Sequence, residues 1–284
     1  MKTLLSKITG RRNSTDHLNL LLCGGQRCGT SSLKYYLEEH PEVGFLNDGD
    51  LKVNGEFVSF PFASPVVARS QLGDDPATYR AMSARLAGKH RYIATKQPYF
   101  MVQPQVPLNL RDHIPDARLL FVLRDPVEAT YSAYRHGLSK GRRTGTFESC
   151  IALSVEAGRE KADPSQRSSW LKYFADPEQL PLLVDRGFYE PFLRRFYACL
   201  PASQILVLRF EELTRQTAES MRRILTFLDL DPDFEFKHLA EVRNAAPKPS
   251  DMNPDTRRML RETFHDANQR LFAMLGWPKD TWSD

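Results

Sequence analysis

The stretch that decides the fold is LNLLLCGGQRCGTSSL, which occupies residues 18–33. Its first part, 18–24, is an apolar run that is too short for a helix and is closed by glycine, as is typical of a strand buried on both faces of a parallel sheet. The glycines in and after this run allow a tight turn that presents backbone N–H groups inward. A helix then begins at Thr30 or Ser31, so its positive dipole end faces whatever the turn encloses. The stretch therefore predicts a strand, a phosphate-binding loop and a helix.

This loop follows a nucleotide-binding spacing with one departure. Gly24 to Ser31 fit the pattern G-x-x-x-x-G-K-[ST], but Thr30 stands at the lysine position and Arg27 is the only cation in the loop. A P-loop kinase or NTPase needs that lysine together with a magnesium ion. We therefore expect a phosphate-like group held by Arg27 as a fixed charge, with the hydroxyls of Thr30, Ser31 and Ser32 as donors. An ordinary glycine-rich turn capped by a hydroxyl is the alternative.

A second motif, FVLRDPVEATYSAY, covers residues 121–134. It places Arg124 at the carboxyl end of a predicted strand, Pro126 at the start of a helix, and Ser132 about two turns into that helix. Ligands of open α/β sheets bind beyond the carboxyl ends of the strands, so Arg124 and Ser132 are predicted to clamp a second phosphate. A capped helix start with a local salt bridge is the alternative. Together, the two motifs describe a nucleotide that carries phosphates at two ends.

The rest of the chain alternates between buried-strand and helical patterns. Further strands are predicted at 91–95, 117–124 and 204–210, with amphipathic helices between and after them. This alternation predicts the α/β class, as a single domain with a central, mostly parallel β-sheet flanked by helices on both faces.

No repeat, low-complexity tract or clear linker interrupts this pattern. We divide the chain into an N-terminal extension (1–17), one domain (18–276) and a C-terminal tail (277–284). Segment 44–75 is rich in Gly, Pro, Asn and Asp, and is predicted to be mostly irregular. A long irregular segment inside a compact domain usually carries function, so we expect this one to shape a ligand pocket.

Composition narrows the class of protein further. The 284 residues carry 39 Lys and Arg against 35 Asp and Glu, a net charge of +4. This charge is too weak to indicate a nucleic-acid partner, but it allows a local basic pocket for an anionic small molecule. No apolar run approaches the roughly 18 residues of a membrane span, and the first residues lack the apolar core of a cleaved signal. The four cysteines fit no zinc or disulfide pattern, so we expect a cytoplasmic protein without a metal site.

Both phosphate motifs resemble those of sulfotransferases that use 3′-phosphoadenosine 5′-phosphosulfate (PAPS). GGQRCGTSSL is similar to that family's 5′-phosphosulfate loop, and LRDPVEATYSAY is similar to its 3′-phosphate motif. The similarity continues through RGFYEPFLRRF (186–196), ILVLRFEEL (205–213) and RRILTFLDL (222–230), and covers about residues 18–276. The pattern is nearer to the heparan-type and bacterial branch than to the cytosolic aryl/steroid branch.

The resemblance implies a fold, a reaction and a co-substrate. The fold is the P-loop-like sulfotransferase fold, and the reaction moves a sulfuryl group from PAPS to a hydroxyl or amine of an acceptor. The released nucleotide is adenosine 3′,5′-bisphosphate (PAP). PAPS has one sulfonate to move and no triphosphate, so no metal ion is required.

The resemblance also implies which residues bind the nucleotide. Arg124 and Ser132 would hold the 3′-phosphate. Tyr189 matches a position near the nucleotide, with simple helix packing as the alternative, and Lys248 matches a segment that folds over the 3′-phosphate, with a solvated loop lysine as the alternative. The 5′-phosphate would be held by the loop residues Gly25, Gln26, Arg27, Cys28, Gly29, Thr30, Ser31 and Ser32.

Five residues are candidates for catalysis, and Arg27 is the first because it can meet the charge that grows on the bridging oxygen. Lys96, in TKQPYF (95–100), follows a predicted strand and could approach the sulfonate or the acceptor. Heparan-type relatives use a glutamate after the first helix as the general base. In that region Glu56 is our first choice, and Asp50 and Asp48 are its rivals. Each of these carboxylates could instead be an ordinary surface group.

The acceptor is predicted to be a small molecule or a carbohydrate. The basic run RHGLSKGRR (135–143) follows the 3′-phosphate helix and is either a solvated face or an attractor for an acidic acceptor. Two other functions stay open at this point, namely a P-loop kinase or NTPase that binds magnesium-ATP, and a non-catalytic module that binds PAPS or PAP.

Overall fold

A computed structural model gives the structure of this chain. Most of the predicted irregular segment 44–75 lies outside the residues it describes, as does Lys248. The described residues are 15, 17–46, 83–103, 105–141, 143–152, 183–239 and 252–283, together with the backbone of 52–53 and 56–57.

The core of the fold is a five-stranded parallel sheet with the strand order β2-β5-β1-β6-β7. Its strands are β1 (Leu20–Gly24), β2 (Val43–Phe45), β5 (Tyr92–Lys96), β6 (Arg118–Leu123) and β7 (Ile205–Arg209). Two short strands, β3 (Lys52–Val53) and β4 (Glu56–Phe57), form a separate antiparallel pair. The prediction of a mostly parallel sheet is confirmed, and each predicted long strand matches an observed one to within two residues at either end.

Helices cover both faces of the sheet, which confirms the predicted layering. Because neighbouring residues of a strand point to opposite faces, β1 contributes to two apolar clusters. The helices are α1 (Thr30–Leu37), α2 (Gln105–His113), α3 (Pro126–Ser139), α4 (Tyr189–Cys199), α5 (Phe210–Arg215), α6 (Thr217–Phe227) and α7 (Pro254–Leu275). Leu21 and Cys23 belong to one cluster, with residues of α2, α4 and α7, while Leu20 and Leu22 belong to the other, with residues of α1 and α6.

Local sequence signals explain where two of the longer helices begin. Asp125 caps α3, since its carboxylate accepts a hydrogen bond from the Val127 N–H at 2.8 Å and Pro126 occupies the first turn. Asn253 caps α7 in the same way, accepting from the Asp255 N–H at 2.8 Å. Among the described residues, no helix combines the length and the apolar character that crossing a bilayer requires.

The chain beyond α7 packs against the domain. Trp277 and Trp282 contact the first apolar cluster, and Thr281 is buried. The division into 1–17, 18–276 and 277–284 stays a prediction.

Close backbone contact between β1 and β6 requires a glycine at the end of β1. Gly24 pairs with Val122 and has a φ of 128°, in the range that only glycine adopts easily. A Cβ atom on Gly24 would lie 2.3 Å from the Val122 carbonyl oxygen. The phosphate loop can therefore start at this point only because residue 24 has no side chain.

We expect Gly24→Ala to lower the free energy of unfolding by about 3 kcal/mol, because it adds both a clash with β6 and an unfavourable φ. Urea denaturation measures this loss. Gly88→Ala is the matched control, since Gly88 also has a positive φ of 72° but faces open space. The control should lose only about 1 kcal/mol. Equal losses in the two variants would contradict the role given to the contact between β1 and β6.

Candidate phosphate-binding site

The glycine-rich loop lies at the carboxyl edge of the sheet, between β1 and α1. The Gly25 N–H donates to the Val122 carbonyl at 3.1 Å, which ties the loop to β6. Gly29 has a φ of 85° and approaches Phe210 so closely that a Cβ atom would lie 2.8 Å from its ring. Arg27 adopts a φ of 66°, which is uncommon for a residue with a side chain. Such backbone conformations persist only where the surrounding structure holds them in place, and they are frequent at functional sites.

The two predicted phosphate motifs meet in space. Arg27 Nε donates to Ser132 Oγ at 3.4 Å, so the loop after β1 contacts the helix after β6. Arg124 Nη1 donates to the Arg27 carbonyl at 3.5 Å. Arg124 and Ser132 are 6% and 9% exposed, whereas Arg27 is exposed to solvent. The structure therefore gathers the residues predicted for the 5′- and 3′-phosphates into one basic cluster.

The positive charges of this cluster favour the binding of an anion. The pKa of the Arg27 guanidinium lies below its ordinary value, first because of partial burial and then because of the nearby positive charge of Arg124. An anion between the two guanidinium groups would relieve this repulsion.

A cleft of about 220 Å³ opens beside the cluster. Arg27 lines one side, and α3 lines the other with side chains spaced three or four residues apart. Glu128 in this cleft forms an ion pair with Arg257 of α7. Glu128 and Tyr131 were not singled out by the sequence prediction, although the helical period through Ser132 could have found them, whereas the lining residues His136 and Ser139 belong to the predicted basic run 135–143.

Lys96 reaches the same edge from β5. Its Nζ donates to Ser31 Oγ at 3.3 Å, at the start of α1. Ser31 is exposed and Thr30 is buried, so Ser31 is the more accessible of these two hydroxyls. The structure thus places the predicted catalytic lysine beside the predicted 5′-phosphate loop.

Cys28 and Tyr189 lie beneath the loop. Both are buried, and Cys28 Sγ is 3.8 Å from Tyr189 Oη. Burial raises the pKa of the Cys28 thiol to about 12 and also raises the pKa of Tyr189, so both side chains are neutral at pH 7. They support the loop from below, and direct contact of either side chain with a nucleotide stays a prediction.

The side chains proposed as general bases lie outside the described structure. The backbone of Glu56 forms part of β4, and its side chain is outside the described structure, as are Asp48, Asp50 and Lys248. Within the described ranges, no group of three or more His, Cys, Asp or Glu side chains could hold a metal ion.

A parallel sheet with a glycine-rich loop and two arginines at its carboxyl edge defines an α/β protein with a candidate anion-binding site. Residues 18–253 match the sulfotransferase domain family, and the chain therefore belongs to that family. A solved sulfotransferase from Alicyclobacillus acidocaldarius shares the fold, with a TM-score of 0.70 and 23% identity over 94% of this chain and 99% of that one.

Two similar proteins show how much of this chain and of its relatives the sequence similarity covers. Human carbohydrate sulfotransferase 15 is 26% identical over 177 residues, which cover 59% of this chain and 31% of that protein. The bovine bifunctional heparan sulfate N-deacetylase/N-sulfotransferase 2 is 22% identical over 313 residues, which cover 97% of this chain and 32% of that protein. This chain therefore spans about a third of the length of each relative.

Asp125, next to Arg124, gives the site a pH-dependent stability. Burial raises the pKa of this carboxyl from 3.8 to about 6, and the charges of Glu128 and Glu211 add to the effect. The folded state therefore keeps the proton that the unfolded state releases near pH 4. The stabilisation from Asp125 is complete below pH 3.8 and is lost as the pH rises through about 6.

We expect Asp125→Asn to be more stable than the wild type at pH 7 by roughly 2 kcal/mol, and nearly equal to it near pH 4. The asparagine keeps an oxygen that can accept from the Val127 N–H, but it carries no charge. Chemical denaturation at several pH values between 4 and 8 measures the difference. Asp255→Asn, on the exposed first turn of α7, controls for the loss of one carboxylate. A stability difference that does not change with pH would contradict this assignment.

Proposed function

We propose that this protein is a PAPS-dependent sulfotransferase that moves a sulfuryl group to a hydroxyl or amine of a carbohydrate acceptor and releases PAP. The observation that carries the proposal is the contact between Arg27 and Ser132, with Arg124 against the Arg27 carbonyl. It unites two anion-binding motifs at the carboxyl edge of the sheet, where one nucleotide with two phosphates can span both.

The roles of the residues follow from the chemistry of the transfer. Sulfuryl transfer, like phosphoryl transfer, passes through an in-line, charge-spreading transition state, so catalysis is mostly positioning and electrostatics. Arg27, the N-terminus of α1 and the exposed Ser31 hydroxyl would stabilise the charge that grows on the leaving 5′-phosphate. Lys96, which lies against Ser31, would neutralise the transferring sulfonate. Arg124 and Ser132 would hold the 3′-phosphate.

We propose Glu56 as the general base that removes the acceptor proton, with Asp50 and Asp48 as rivals. The reaction needs no metal ion in this proposal, because the charge that grows on the leaving group is met by Arg27, hydroxyl donors and the N-terminus of α1. Thr30 at the position of the P-loop lysine disfavours a magnesium-dependent kinase or NTPase. A non-catalytic PAPS-binding module is the alternative that the turnover measurement described below tests.

The names of the relatives support a carbohydrate acceptor, since one is a carbohydrate sulfotransferase and the other acts on heparan sulfate. The cleft beside Arg27 adds Arg135 and His136 from the basic run 135–143. These side chains favour an acceptor that carries negative charge. A cytoplasmic location is also part of the proposal, and the four free cysteines support it.

We expect PAP without metal to raise the melting temperature, and ATP with magnesium to leave it nearly unchanged. A hundredfold excess of PAP over its Kd should stabilise the protein by about 2.7 kcal/mol.

Arg27→Ala and Arg124→Ala should each remove most of the PAP shift, because each deletes a guanidinium from the cluster. Arg258→Ala, on the exposed face of α7, is the control and should keep the full shift. An undiminished shift in both site variants would contradict the site, and a shift only with magnesium-ATP would favour the kinase or NTPase.

We expect Glu56→Gln to bind PAP with wild-type affinity and to lower kcat by about 10²- to 10⁴-fold, the usual contribution of a general base. Acceptors are first screened with labelled PAPS, and turnover is then measured on the best of them. Glu262→Gln, on α7, is the control. Wild-type turnover in Glu56→Gln would move the base elsewhere, and Asp50→Asn and Asp48→Asn would then be measured in the same assay.

A further inference from the structure

The C-terminal segment, residues 277–283, contacts the support of the proposed nucleotide site through Trp282. Trp282 Nε1 donates a hydrogen bond to Glu211 Oε2 at 3.1 Å. The indole ring also meets the ring of Tyr189, at a centroid distance of 6.2 Å, and the ring of Phe272 at 5.3 Å. Trp282 therefore lies between the core and the first turn of α5.

Glu211 also accepts a hydrogen bond from the backbone next to Arg124. Its second carboxylate oxygen, Oε1, accepts a hydrogen bond from the Asp125 N–H at 3.1 Å. One carboxylate thus joins the indole N–H of the C-terminal segment to the peptide group that follows the predicted 3′-phosphate arginine. The register of β6 and β7 explains the contact, because Leu123 pairs with Arg209 and both chains leave the sheet side by side.

The residue before Glu211 holds the side chain of the same arginine. The Arg124 guanidinium lies over the Phe210 ring, at 4.8 Å from its centroid. The Phe210 ring also lies close to Gly29 of the phosphate loop. Phe210 therefore packs against the Arg124 guanidinium, and Glu211 holds the peptide group that follows Arg124.

The C-terminal segment is itself anchored on α7. Arg261 Nη1 donates to the Ser283 carbonyl at 2.7 Å, and Gln269 Nε2 donates to the Lys279 carbonyl at 3.0 Å. These hydrogen bonds fix the segment on both sides of Trp282, so the indole N–H has a defined direction. Two N–H donors hold the Glu211 carboxylate in one orientation. A carboxylate that lost one donor would be free to compete with a phosphate for Arg124.

We propose that Trp282 is a positioning residue of the nucleotide site, which acts through Glu211 to keep Arg124 ready for the 3′-phosphate. This inference rests on the proposed function for the identity of the ligand. Trp282 touches no reacting group, and its indole N–H, rather than its ring, carries the effect.

The test separates the N–H from the ring by replacing Trp282 with phenylalanine in the full chain. Trp282→Phe keeps an aromatic side chain against Tyr189 and Phe272 but removes the donor to Glu211. We expect the Kd for PAP, measured by calorimetry, to rise roughly fivefold or more in this variant. The KM for PAPS should rise by a matching factor, and kcat should stay within about twofold of the wild type. Trp277→Phe is the matched control, because Trp277 packs in the same aromatic cluster at 5.7 Å from Trp282. The control should bind PAP like the wild type.

A double-mutant cycle tests whether Trp282 acts through Glu211. Glu211→Ala should weaken PAP binding at least as much as Trp282→Phe, and adding Trp282→Phe to it should change the affinity less than twofold. Glu211→Gln is a second variant for the case that Trp282→Phe does not fold, with Glu212→Gln on the same turn as its control. Additive effects in the cycle, or wild-type PAP affinity in a folded Trp282→Phe or Glu211→Gln protein, would overturn the inference.

Amide hydrogen exchange gives a readout that does not depend on the nucleotide. We expect the Asp125 amide to exchange faster in Trp282→Phe than in Trp277→Phe, because Glu211 no longer holds it firmly. Equal exchange in the two variants would contradict the hydrogen-bond chain. A wild-type protein that fails to bind PAP contradicts the proposed function instead, so the two failures are distinguishable.

Discussion

Parallel pairing of β1 with β6 puts two strand ends side by side at one edge of the sheet, with Gly24 opposite Val122. The two loops that leave this edge are the ones that carry Arg27 and Arg124. Since both strands run in the same direction, the N-termini of α1 and α3 also face this edge, and each adds free N–H groups and a positive dipole end. The pairing leaves no room for a side chain at residue 24, so a small backbone constraint determines where a basic cluster forms.

The cluster holds like charges close together, and this arrangement is the source of its chemistry. Arg27 has an unusual backbone conformation and contacts Ser132 across the edge of the sheet, while Arg124 points at the Arg27 carbonyl. Fixed positive groups stabilise developing negative charge without reorganising during the reaction. The pKa of Arg27 is lowered first by partial burial and then by the nearby positive charge of Arg124. Lys96 extends the positive edge toward Ser31, where a transferring group would lie in the proposed reaction.

Neutral and apolar side chains support the charged edge from below. Cys28 and Tyr189 are buried beneath the loop and stay uncharged at pH 7, and Phe210 packs both against Gly29 and beneath Arg124. Trp282 completes this support from the far end of the chain. A low-dielectric floor strengthens the interaction of the guanidinium groups with an anion above them. The site is thus a group of charged and polar side chains packed on an apolar base.

Local patterns in the sequence determined the elements of this protein. The apolar run, glycines and hydroxyls of residues 18–33 predicted β1, the loop and α1, and the Asp125–Pro126 pair marked the start of α3, because each signal acts within a few residues. The candidate nucleotide-binding arginines followed from the same two motifs. Only the tertiary structure decided that Arg27 meets Ser132, that Lys96 meets Ser31 and that Trp282 meets Glu211. The partners in these pairs are separated by 105, 65 and 71 residues. Strand order and the docking of the C-terminal segment set such contacts, and no short pattern in the chain encodes either of them.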